Sequence, residues 1–432
     1  MQRCALRLAL ALGLLAGVPA AAPAQRPLLP DTRITATATG NWRVDYRFAS
    51  AVAELHFARS PDASRATGWS ASAGFEIVRG REDELVRRRD GRPFTAVSLA
   101  MPPLWQDLPK DYSPFSPFGD GGILFHSGRF FACSGPCEAA SRWRMTIVAP
   151  PGLPILLNGR FFTGSASWVD GNDGRNIYLG RTRPVETPDL VAVLDDNLPP
   201  AIRTRLLTQL PDAMRVFAGK LGRLPQRPML FASWDPADRG VDGRKGGALP
   251  GQVFVHFYGA RWPQLMQTAT FGPDLAWFFA HEAGHLYQRQ VTTGDDAGAW
   301  IHEGGAEAFA SLATRTAAPA FAAAKQDQAR DDCARRLGGR ALRDVLAGGD
   351  AQASYSCGLL VNLWLDRAVR ARNPDGLFAV WRTYIARSAG AGGSQTNFFS
   401  AIQAVAGPDL AARTAALVTQ PGALQPLLTT AN

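Results

Sequence analysis

The chain has 432 residues and a formal net charge of +9, and 46% of its residues are hydrophobic. This length suits two domains better than one, and the hydrophobic content excludes a wholly disordered protein. The positive charge comes almost entirely from arginine, because only four of the 46 basic residues are lysines. The densest basic stretch, 79–92, also contains acidic residues, which is typical of a solvated hairpin. We therefore expect no nucleic-acid partner.

Residues 1–24 have the pattern of a secretory signal peptide. Arg3 and Arg7 provide the positive start, 8–18 form the apolar stretch, and Ala-Pro-Ala at 22–24 resembles a cleavage site. The apolar stretch is too short to cross a bilayer, and no later segment reaches about 18 apolar residues. The pattern predicts a soluble exported protein, periplasmic or secreted after signal removal, without stable membrane insertion. A membrane anchor is the alternative.

Four cysteines remain after the signal segment: Cys133, Cys137, Cys333 and Cys357. An even number of cysteines in an oxidising compartment favours disulfides. We expect Cys133 and Cys137 to close a small loop around a Gly-Pro turn, and Cys333 and Cys357 to join two helical segments. The alternative is a four-cysteine zinc site, but the close pairwise spacing of such sites is missing.

Residues 25–188 are predicted to form an antiparallel β domain. Short stretches in which apolar and polar residues alternate recur at 42–48, 53–57 and 143–148. Clusters of Gly, Pro and Asp separate these stretches, and no strong helical period occurs among them.

The pattern changes after Pro188, and 189–432 are predicted to form an α+β domain. Apolar residues follow a helical spacing over 202–217, and strand-like segments come next at 228–233 and 252–257. The rest is mainly helical, with helices predicted at about 274–292, 298–315, 356–371, 375–388 and 395–405. The fold class is therefore α+β, with a β domain followed by a domain whose C-terminal part is helical.

Two histidines four residues apart indicate a metal site. In the segment His281-Glu-Ala-Gly-His285, both imidazoles lie on one face of a predicted helix and can reach one ion. Glu282 lies beside them, where it can take a proton from water. Glu303, near the start of a second apolar helix, is a candidate third ligand of the kind that catalytic zinc requires. The alternative for Glu303 is a solvated helical face.

Other polar residues receive supporting assignments. Glu307 lies one turn beyond Glu303, where its carboxylate can orient a ligating imidazole, although a plain structural carboxylate is the alternative. His302 points away from the face of Glu303 by helix geometry. The remaining histidines, His56, His126 and His256, are interpreted as structural, with a position in the cleft open for His256.

The motif His281 to His285, followed by Trp300-x-x-Glu303-Gly-x-Ala, resembles the gluzincin zinc metallopeptidases. The similarity is strongest to the group of alanyl aminopeptidase, leukotriene hydrolase and glycyl aminopeptidase. It implies a thermolysin-like catalytic domain after the β domain, and one zinc ion per chain. By the same resemblance, Tyr355, in a Tyr-x-x-Gly motif with Gly358, stabilises the oxyanion of the reaction. The alternative is a tyrosine packed at a helix start.

The sequence departs from this group at two points. The segment between His285 and Glu303 has 17 residues, one fewer than is usual there. The group also places a glutamate on a strand above the metal, where it holds the free amine of the substrate. The matching strand here contains Gly247 and Ala248, and no acidic residue occurs between 246 and 257. This strand can still pair with a peptide backbone, but the amine loses its anchor.

We therefore predict a zinc metallopeptidase that hydrolyses peptide bonds, with Glu282 as general base and Tyr355 as electrophilic helper. Its substrate is a peptide or protein, and the cleavage mode, aminopeptidase or endopeptidase, stays open. The alternative is a zinc-binding scaffold or adhesion module that retains the peptidase fold without catalysis.

Overall fold

The computed structural model describes 27–429, except 61, 81–82, 109–110, 239, 290, 292 and 390–391. The predicted signal segment, 1–24, lies outside the described residues. Within the described ranges, no helix combines the length and the apolar character that a membrane crossing requires.

The N-terminal part is rich in strands; among its described residues it has one short α-helix, α1 (Ser64–Gly68), and one turn of 3-10 helix, Ser127–Phe130. Its strands are β1 (Asp31–Thr35), β2 (Trp42–Val52), β3 (Glu54–Phe57), β4 (Ser70–Ala71), β5 (Phe75–Arg79), β6 (Glu84–Arg88), β7 (Phe94–Met101), β8 (Phe115–Pro117), β9 (Ile123–His126), β10 (Ala132–Cys133), β11 (Trp143–Val148), β12 (Ile155–Leu157), β13 (Arg160–Phe162), β14 (Ser165–Asp170) and β15 (Asn176–Leu179).

These strands form three sheets, in the orders β14-β11-β1-β2-β7-β4, β10-β3-β6-β5 and β13-β12-β15-β9-β8. The pairing is antiparallel except between β1 and β11, which run parallel. Strand β2 shows why the sequence forms a sheet with one buried face. Trp42, Val44 and Tyr46 point into the core while Arg43 and Arg47 face solvent, because successive side chains of a strand alternate between its faces.

A fourth sheet, in the order β16-β17-β18-β20-β19, carries the second part of the chain. Its strands are β16 (Val185–Glu186), β17 (Val191–Leu194), β18 (Met229–Asp235), β19 (Gly243–Leu249) and β20 (Gln252–Tyr258). Strands β17, β18 and β20 are parallel, and β19 runs antiparallel at the edge. Every residue of β20 is buried, as expected for a strand covered on both faces.

Helices pack on this sheet and fill the C-terminal part. They are α2 (Pro200–Leu221), α3 (Trp262–Leu265), α4 (Phe271–Tyr287), α5 (Ala299–Thr314), α6 (Pro319–Leu337), α7 (Leu342–Ala347), α8 (Gln352–Arg370), α9 (Leu377–Ser388), α10 (Gln395–Ala406), α11 (Pro408–Thr419) and α12 (Gln425–Thr429). In α2, Ile202, Leu206 and Leu210 are buried on one face, because the apolar residues recur at helical spacing.

The α+β fold class, with a sheet-rich N-terminal part and a helical C-terminal part, is confirmed. The helices predicted from apolar spacing are present with shifted ends, but α3, α6, α7, α11 and α12 were not predicted. Helix α6 is mostly exposed and has few buried positions, which leaves a weak periodic signal. The domain boundary at 188 stays a prediction.

One buried side-chain amide and two disulfides link separate parts of the fold. The Gln252 side chain on β20 accepts from the Asn176 backbone N–H at 2.8 Å and donates to its carbonyl at 3.0 Å, so it ties the β domain to the fourth sheet. Both expected disulfides, Cys133–Cys137 and Cys333–Cys357, are present, and the second joins α6 to α8.

Candidate active site

Helix α4 holds two imidazoles close together. His281 and His285 lie one turn apart, and their Nε2 atoms are separated by 3.1 Å. The helix carries these polar groups into the interior because its other faces are apolar, with Leu275, Ala280 and Ala283 buried.

Glu303 on α5 completes the cluster. Its Oε2 atom lies 3.3 Å from His285 Nε2 and 3.5 Å from His281 Nε2. One ligand atom from each residue lies within 4.8 Å of the other two. Glu303 Oε2 is also buried without a hydrogen-bond partner among the described residues. Two imidazole nitrogens and one carboxylate oxygen are the donor set of many catalytic zinc sites, so this cluster fits zinc.

The orientation of His285 is set by Gln288, one turn further along the chain. Gln288 Nε2 donates to the His302 carbonyl at 2.8 Å, which fixes the amide so that its Oε1 faces His285 Nδ1 at 2.9 Å. An amide oxygen only accepts, so the proton of His285 lies on Nδ1 and the Nε2 lone pair faces the cluster. Sequence analysis missed Gln288, although its spacing of three residues from His285 on a helix could have indicated it.

Glu307 lies beside the other imidazole. Its Oε1 atom is 3.0 Å from His281 Nδ1, and its Oε2 atom accepts from Trp277 Nε1 at 2.8 Å. A carboxylate against Nδ1 favours the proton there and leaves Nε2 for a metal. Glu307 thus lies beside His281, and its role in orienting this imidazole stays a prediction.

Glu282 faces the same cleft from the next position of α4. Its side chain is buried, and its Oε2 atom has no hydrogen-bond partner among the described residues. Burial raises the pKa of Glu282 above its ordinary value, although the neighbouring imidazoles act in the opposite direction. A buried carboxylate beside three candidate metal ligands could act as a general base.

Tyr355, in the first turn of α8, lies against the cluster from the other side. Its ring stacks on the His281 ring with centroids 5.7 Å apart and planes at 22°. The charge of Glu303 and burial raise the pKa of Tyr355 well above its ordinary value. The hydroxyl therefore keeps its proton at neutral pH and can donate to a developing oxyanion.

Close packing of α5 and α8 brings Tyr355 to Glu303. The helices touch at Gly304 and Gly358, where an added Cβ on Gly304 would meet the Gly358 backbone at 2.4 Å. Asn362 strengthens this crossing, because its Nδ2 donates to the carbonyls of Trp300 and Gly358. The two small residues beside Glu303 and after Tyr355 thus have a physical role, since only glycine permits this approach.

A cleft of about 590 Å³ between the β domain and the helices is lined by His281, Glu282, His285, Glu303 and Tyr355. Gly247 and Ala248 on β19 also line it. Strand β19 is the last strand of its sheet, and among the described residues no strand pairs with its outer edge. An unpaired edge is the surface to which an extended peptide can add as a further strand.

The β domain forms the opposite wall of the cleft through Tyr112, His126 and Asn176. The Tyr112 ring lies so close to Gly247 that an added Cβ would be 2.7 Å from it. Sequence analysis did not single out Tyr112 or Asn176, and it interpreted His126 as structural. No local motif marks these residues, since they meet only through the sheet register.

Of the remaining histidines, two line the cleft and one does not. His256 lines the cleft, where its Nδ1 is 2.8 Å from Ser233 Oγ and its ring stacks on Trp105. His302 also lines it, with Nε2 at 3.6 Å from Glu303 Oε1. His56 is ion-paired with Asp83 at 2.7 Å and does not line this cleft.

No protein-family model matches the chain, and no curated protein matches its sequence. Solved structures do resemble it. An aminopeptidase N family protein from Idiomarina loihiensis aligns with a TM-score of 0.66 at 13% identity, over 92% of this chain and 78% of that chain. An M1 zinc metallopeptidase from Deinococcus radiodurans aligns at 0.53 and 16% identity, over 92% and 94%. Yeast LTA4 hydrolase aligns at 0.57 and 11% identity, over 92% and 68%.

At these identities the likeness concerns the fold, which agrees with the resemblance noted from the motifs. It extends over the β domain as well as the helical part, because the alignments cover 92% of the chain. The chain has the gluzincin, aminopeptidase-like fold of the M1 zinc metallopeptidases.

Proposed function

We propose that this protein is an exported zinc metallopeptidase that hydrolyses peptide bonds. The observation that carries the proposal is the convergence of His281, His285 and Glu303 within 4.8 Å, with Glu282 and Tyr355 facing the same cleft. The M1 zinc metallopeptidase fold supports the same conclusion. The signal pattern at 1–24 and the two disulfides support export.

In this proposal His281, His285 and Glu303 hold one zinc ion per chain. Zinc at this point would polarise the substrate carbonyl and lower the pKa of water towards about 7. Glu282 takes the proton of the attacking water and delivers it to the leaving amine. Tyr355 donates its hydroxyl proton in a hydrogen bond to the oxyanion of the tetrahedral intermediate.

The peptide backbone would lie along the outer edge of β19. Its N–H and C=O groups would pair with the backbone groups near Gly247 and Ala248, which line the same cleft as the three candidate ligands. This pairing uses backbone atoms, so it supports a peptide substrate without specifying its sequence.

The substitution Glu282→Gln tests this function. It keeps the size of the side chain and removes the base, so we expect zinc to remain bound while peptide turnover falls by about 10²- to 10⁴-fold. Turnover is measured by mass spectrometry on a peptide library, half of it amino-acetylated, with chelator-treated protein as the baseline. Zinc content is measured on the same samples.

The matched control is Glu138→Gln, which removes an exposed carboxylate of the β domain and should leave both quantities unchanged. Full activity in Glu282→Gln would refute the proposed role of this residue. Cleavage that the chelator does not reduce would refute a zinc-dependent peptidase. No cleavage of any peptide by the zinc-loaded native protein would favour a catalytically silent scaffold.

A further inference from the structure

The cleft continues past the candidate catalytic groups in both directions along β19. A second cavity, also of about 590 Å³, shares Glu282 and Tyr355 with the cleft and reaches Arg244 at the start of the strand. A third, of about 540 Å³, shares Glu303 with the cleft and reaches Leu249 at the end of the strand. An extended peptide that adds to the edge of β19 would therefore pass through all three cavities.

The two end cavities differ in charge. Asp173, Asp295 and Asp296 line the cavity at Leu249, where the basic residue Arg59 is ion-paired with Asp173. Basic side chains line the cavity at the other end of β19: Arg244, Lys245, Lys325, Arg335 and Arg336. A peptide with one charged group at each end would meet opposite charges along this path.

Three of the five basic side chains each have a carboxylate partner. Asp107 lies 2.6 Å from Lys245, Asp332 lies 3.1 Å from Arg335, and Asp350 lies 2.8 Å from Arg336. These ion pairs leave little charge for a ligand, so they do not by themselves indicate a binding site.

Arg244 and Lys325 instead share a single carboxylate. Asp274 Oδ2 lies 2.7 Å from Arg244 Nη1, and Asp274 Oδ1 lies 3.5 Å from Lys325 Nζ. Glu307, which also lines this cavity, is held against His281 Nδ1. The pair therefore carries one positive charge that Asp274 does not compensate. The two side chains are 22% and 32% exposed, so the cavity can reach both of them.

Aromatic rings hold the two cations in place. The guanidinium carbon of Arg244, on β19, lies 4.7 Å from the centre of the Phe278 ring, and Lys325 Nζ, on α6, lies 5.6 Å from the centre of the Phe321 ring. Such contacts stabilise a cation over the face of a ring. Two cations fixed on separate elements beside one carboxylate provide a site for a second carboxylate, which an arginine can bind through two parallel hydrogen bonds.

Two independent measures give the distance from this pair to the candidate catalytic groups. Along β19, Arg244 is three positions before Gly247, which corresponds to about 10 Å. Along α4, Asp274 is eight positions before Glu282, which corresponds to about 12 Å. An extended peptide covers either distance with about three residues.

We infer that Arg244 and Lys325 form a subsite for a carboxylate of the substrate, about three residues beyond the cleaved bond. The inference rests on the proposed function and specifies its substrate class. A peptide that lies antiparallel to β19 directs its carboxyl end towards Arg244 and its amino end towards the aspartates near Leu249. The carboxylate is either the terminal group of a short peptide or the side chain of an aspartate or glutamate in a longer one.

The test is calorimetric binding to zinc-loaded Glu282→Gln protein, which requires no turnover. The probes are alanine peptides of increasing length, each made with a free carboxyl end and with a carboxamide end. At one length we expect the acid to bind roughly tenfold more tightly than the amide, and the ratio should fall as salt is added. A second series of amide-ended peptides, with glutamate or glutamine at one position at a time, shows whether a side chain serves as well as the terminus.

The variants Arg244→Gln and Lys325→Gln should each reduce the ratio of acid to amide affinity to about twofold or less. If Arg244→Gln does not fold, Lys325→Gln and Lys325→Met carry the same test from the surface of α6. Lys220→Gln is the matched control, because it removes a lysine that is ion-paired with Asp375 at 2.9 Å and lines none of the three cavities. It should leave the ratio unchanged.

The outcomes separate the subsite from the proposed function. Equal binding of acids and amides in both series, with turnover by the native enzyme, overturns the subsite and leaves the function intact. A carboxylate preference in native protein that cleaves no peptide supports the subsite and overturns the function. A preference that survives both Arg244→Gln and Lys325→Gln overturns the subsite, because the carboxylate then binds elsewhere.

Discussion

On the helical side of the cleft, the side chains around His281 and His285 hydrogen-bond to one another, whereas the polar side chains on the β-domain side do not. His281 and His285 each have a partner beside Nδ1, and those partners are held in turn by Trp277 and by the His302 carbonyl. On the other side, His126 is more deeply buried than His281 and His285, but its ring nitrogens have no hydrogen-bond partner among the described residues.

The two walls of the cleft therefore differ in how their polar side chains are held. The helical wall suits the proposed binding of one ion, because contacts behind the two imidazoles favour one tautomer of each. The β-domain wall instead buries polar atoms that have no hydrogen-bond partner among the described residues, and this costs stability. Stability and catalysis should therefore respond in opposite ways to substitutions on the two walls.

The largest expected effect is on the helical wall, in Tyr355→Phe. Removing one oxyanion donor of this kind typically lowers kcat by about 10²- to 10³-fold, and KM should change little because the ground-state carbonyl needs no such donor. Steady-state kinetics on a peptide that the native enzyme cleaves provide the measurement.

The control is Tyr384→Phe, which removes the hydroxyl of a buried tyrosine on α9 that does not line the cleft. It should keep native kinetics. If Tyr355→Phe lost less than about threefold in kcat, Tyr355 would be a packing residue and the oxyanion would need another donor.

The two disulfides should differ in what they contribute to the two regions. Cys333–Cys357 closes a segment of 24 residues and Cys133–Cys137 one of four. In the chain-entropy model these loops correspond to about 3.4 and about 1.9 kcal/mol of unfolding free energy. Chemical denaturation of Cys333→Ser/Cys357→Ser and of Cys133→Ser/Cys137→Ser, followed by circular dichroism, tests the difference.

Tyr355 adds a second measurement to this comparison. Because Cys357 is on the same helix two residues away, loss of the α6–α8 link should also lower turnover, while loss of the β-domain link should not. Equal effects of both double variants on turnover would mean that the disulfide does not help to position Tyr355.

The two walls also differ in how far the sequence could predict them. His281, His285, Glu303 and Glu307 follow helical spacing on two consecutive helices, so their meeting could be predicted from periodicity and motif order. The helix that follows Tyr355 could be predicted from its apolar residues, but the role of Tyr355 could be predicted by resemblance only. Its approach to the site depends on the glycine contact between α5 and α8.

The β-domain wall was not predictable for a physical reason. His126 and Asn176 are 50 positions apart and become neighbours only through the register of β9 and β15. A register shift of one residue would move each side chain to the other face of the sheet, and the sequence alone does not fix that register. The packing of Tyr112 on His126 is likewise a property of the folded chain and has no sequence motif.

The next largest expected effect is the contribution of His126, on the β-domain wall, to the pH dependence of the free energy of unfolding. Burial lowers the pKa of His126 to about 4 in the folded protein, against an ordinary value of 6.5. Between these values His126 is protonated in the unfolded chain and neutral in the folded protein. The free energy of unfolding therefore falls as pH decreases from about 6.5 to about 4. The full difference is about 3 kcal/mol.

His126→Leu removes this dependence, so the gap in unfolding free energy between variant and native protein should shift by about 3 kcal/mol in favour of the variant on going from pH 7 to pH 4. Urea denaturation across this range gives the measurement. A constant difference between variant and native protein would show that His126 gains a proton, or a partner such as the nearby Asp111, in the folded state.

The smallest expected effect returns to the helical wall and concerns the residues that orient the ligands. Glu307→Gln keeps a group near His281 Nδ1 but removes the charge that makes the imidazole more basic, and such changes typically weaken metal binding by about 10- to 100-fold. Gln288→Leu should act in the same range through His285, since it leaves Nδ1 without its acceptor at 2.9 Å. Competition with a chelator of known affinity measures both zinc dissociation constants. An unchanged zinc dissociation constant in both variants would mean that His281, His285 and Glu303 alone determine zinc affinity. The hydrogen bonds that orient the two imidazoles would then have no effect on metal binding.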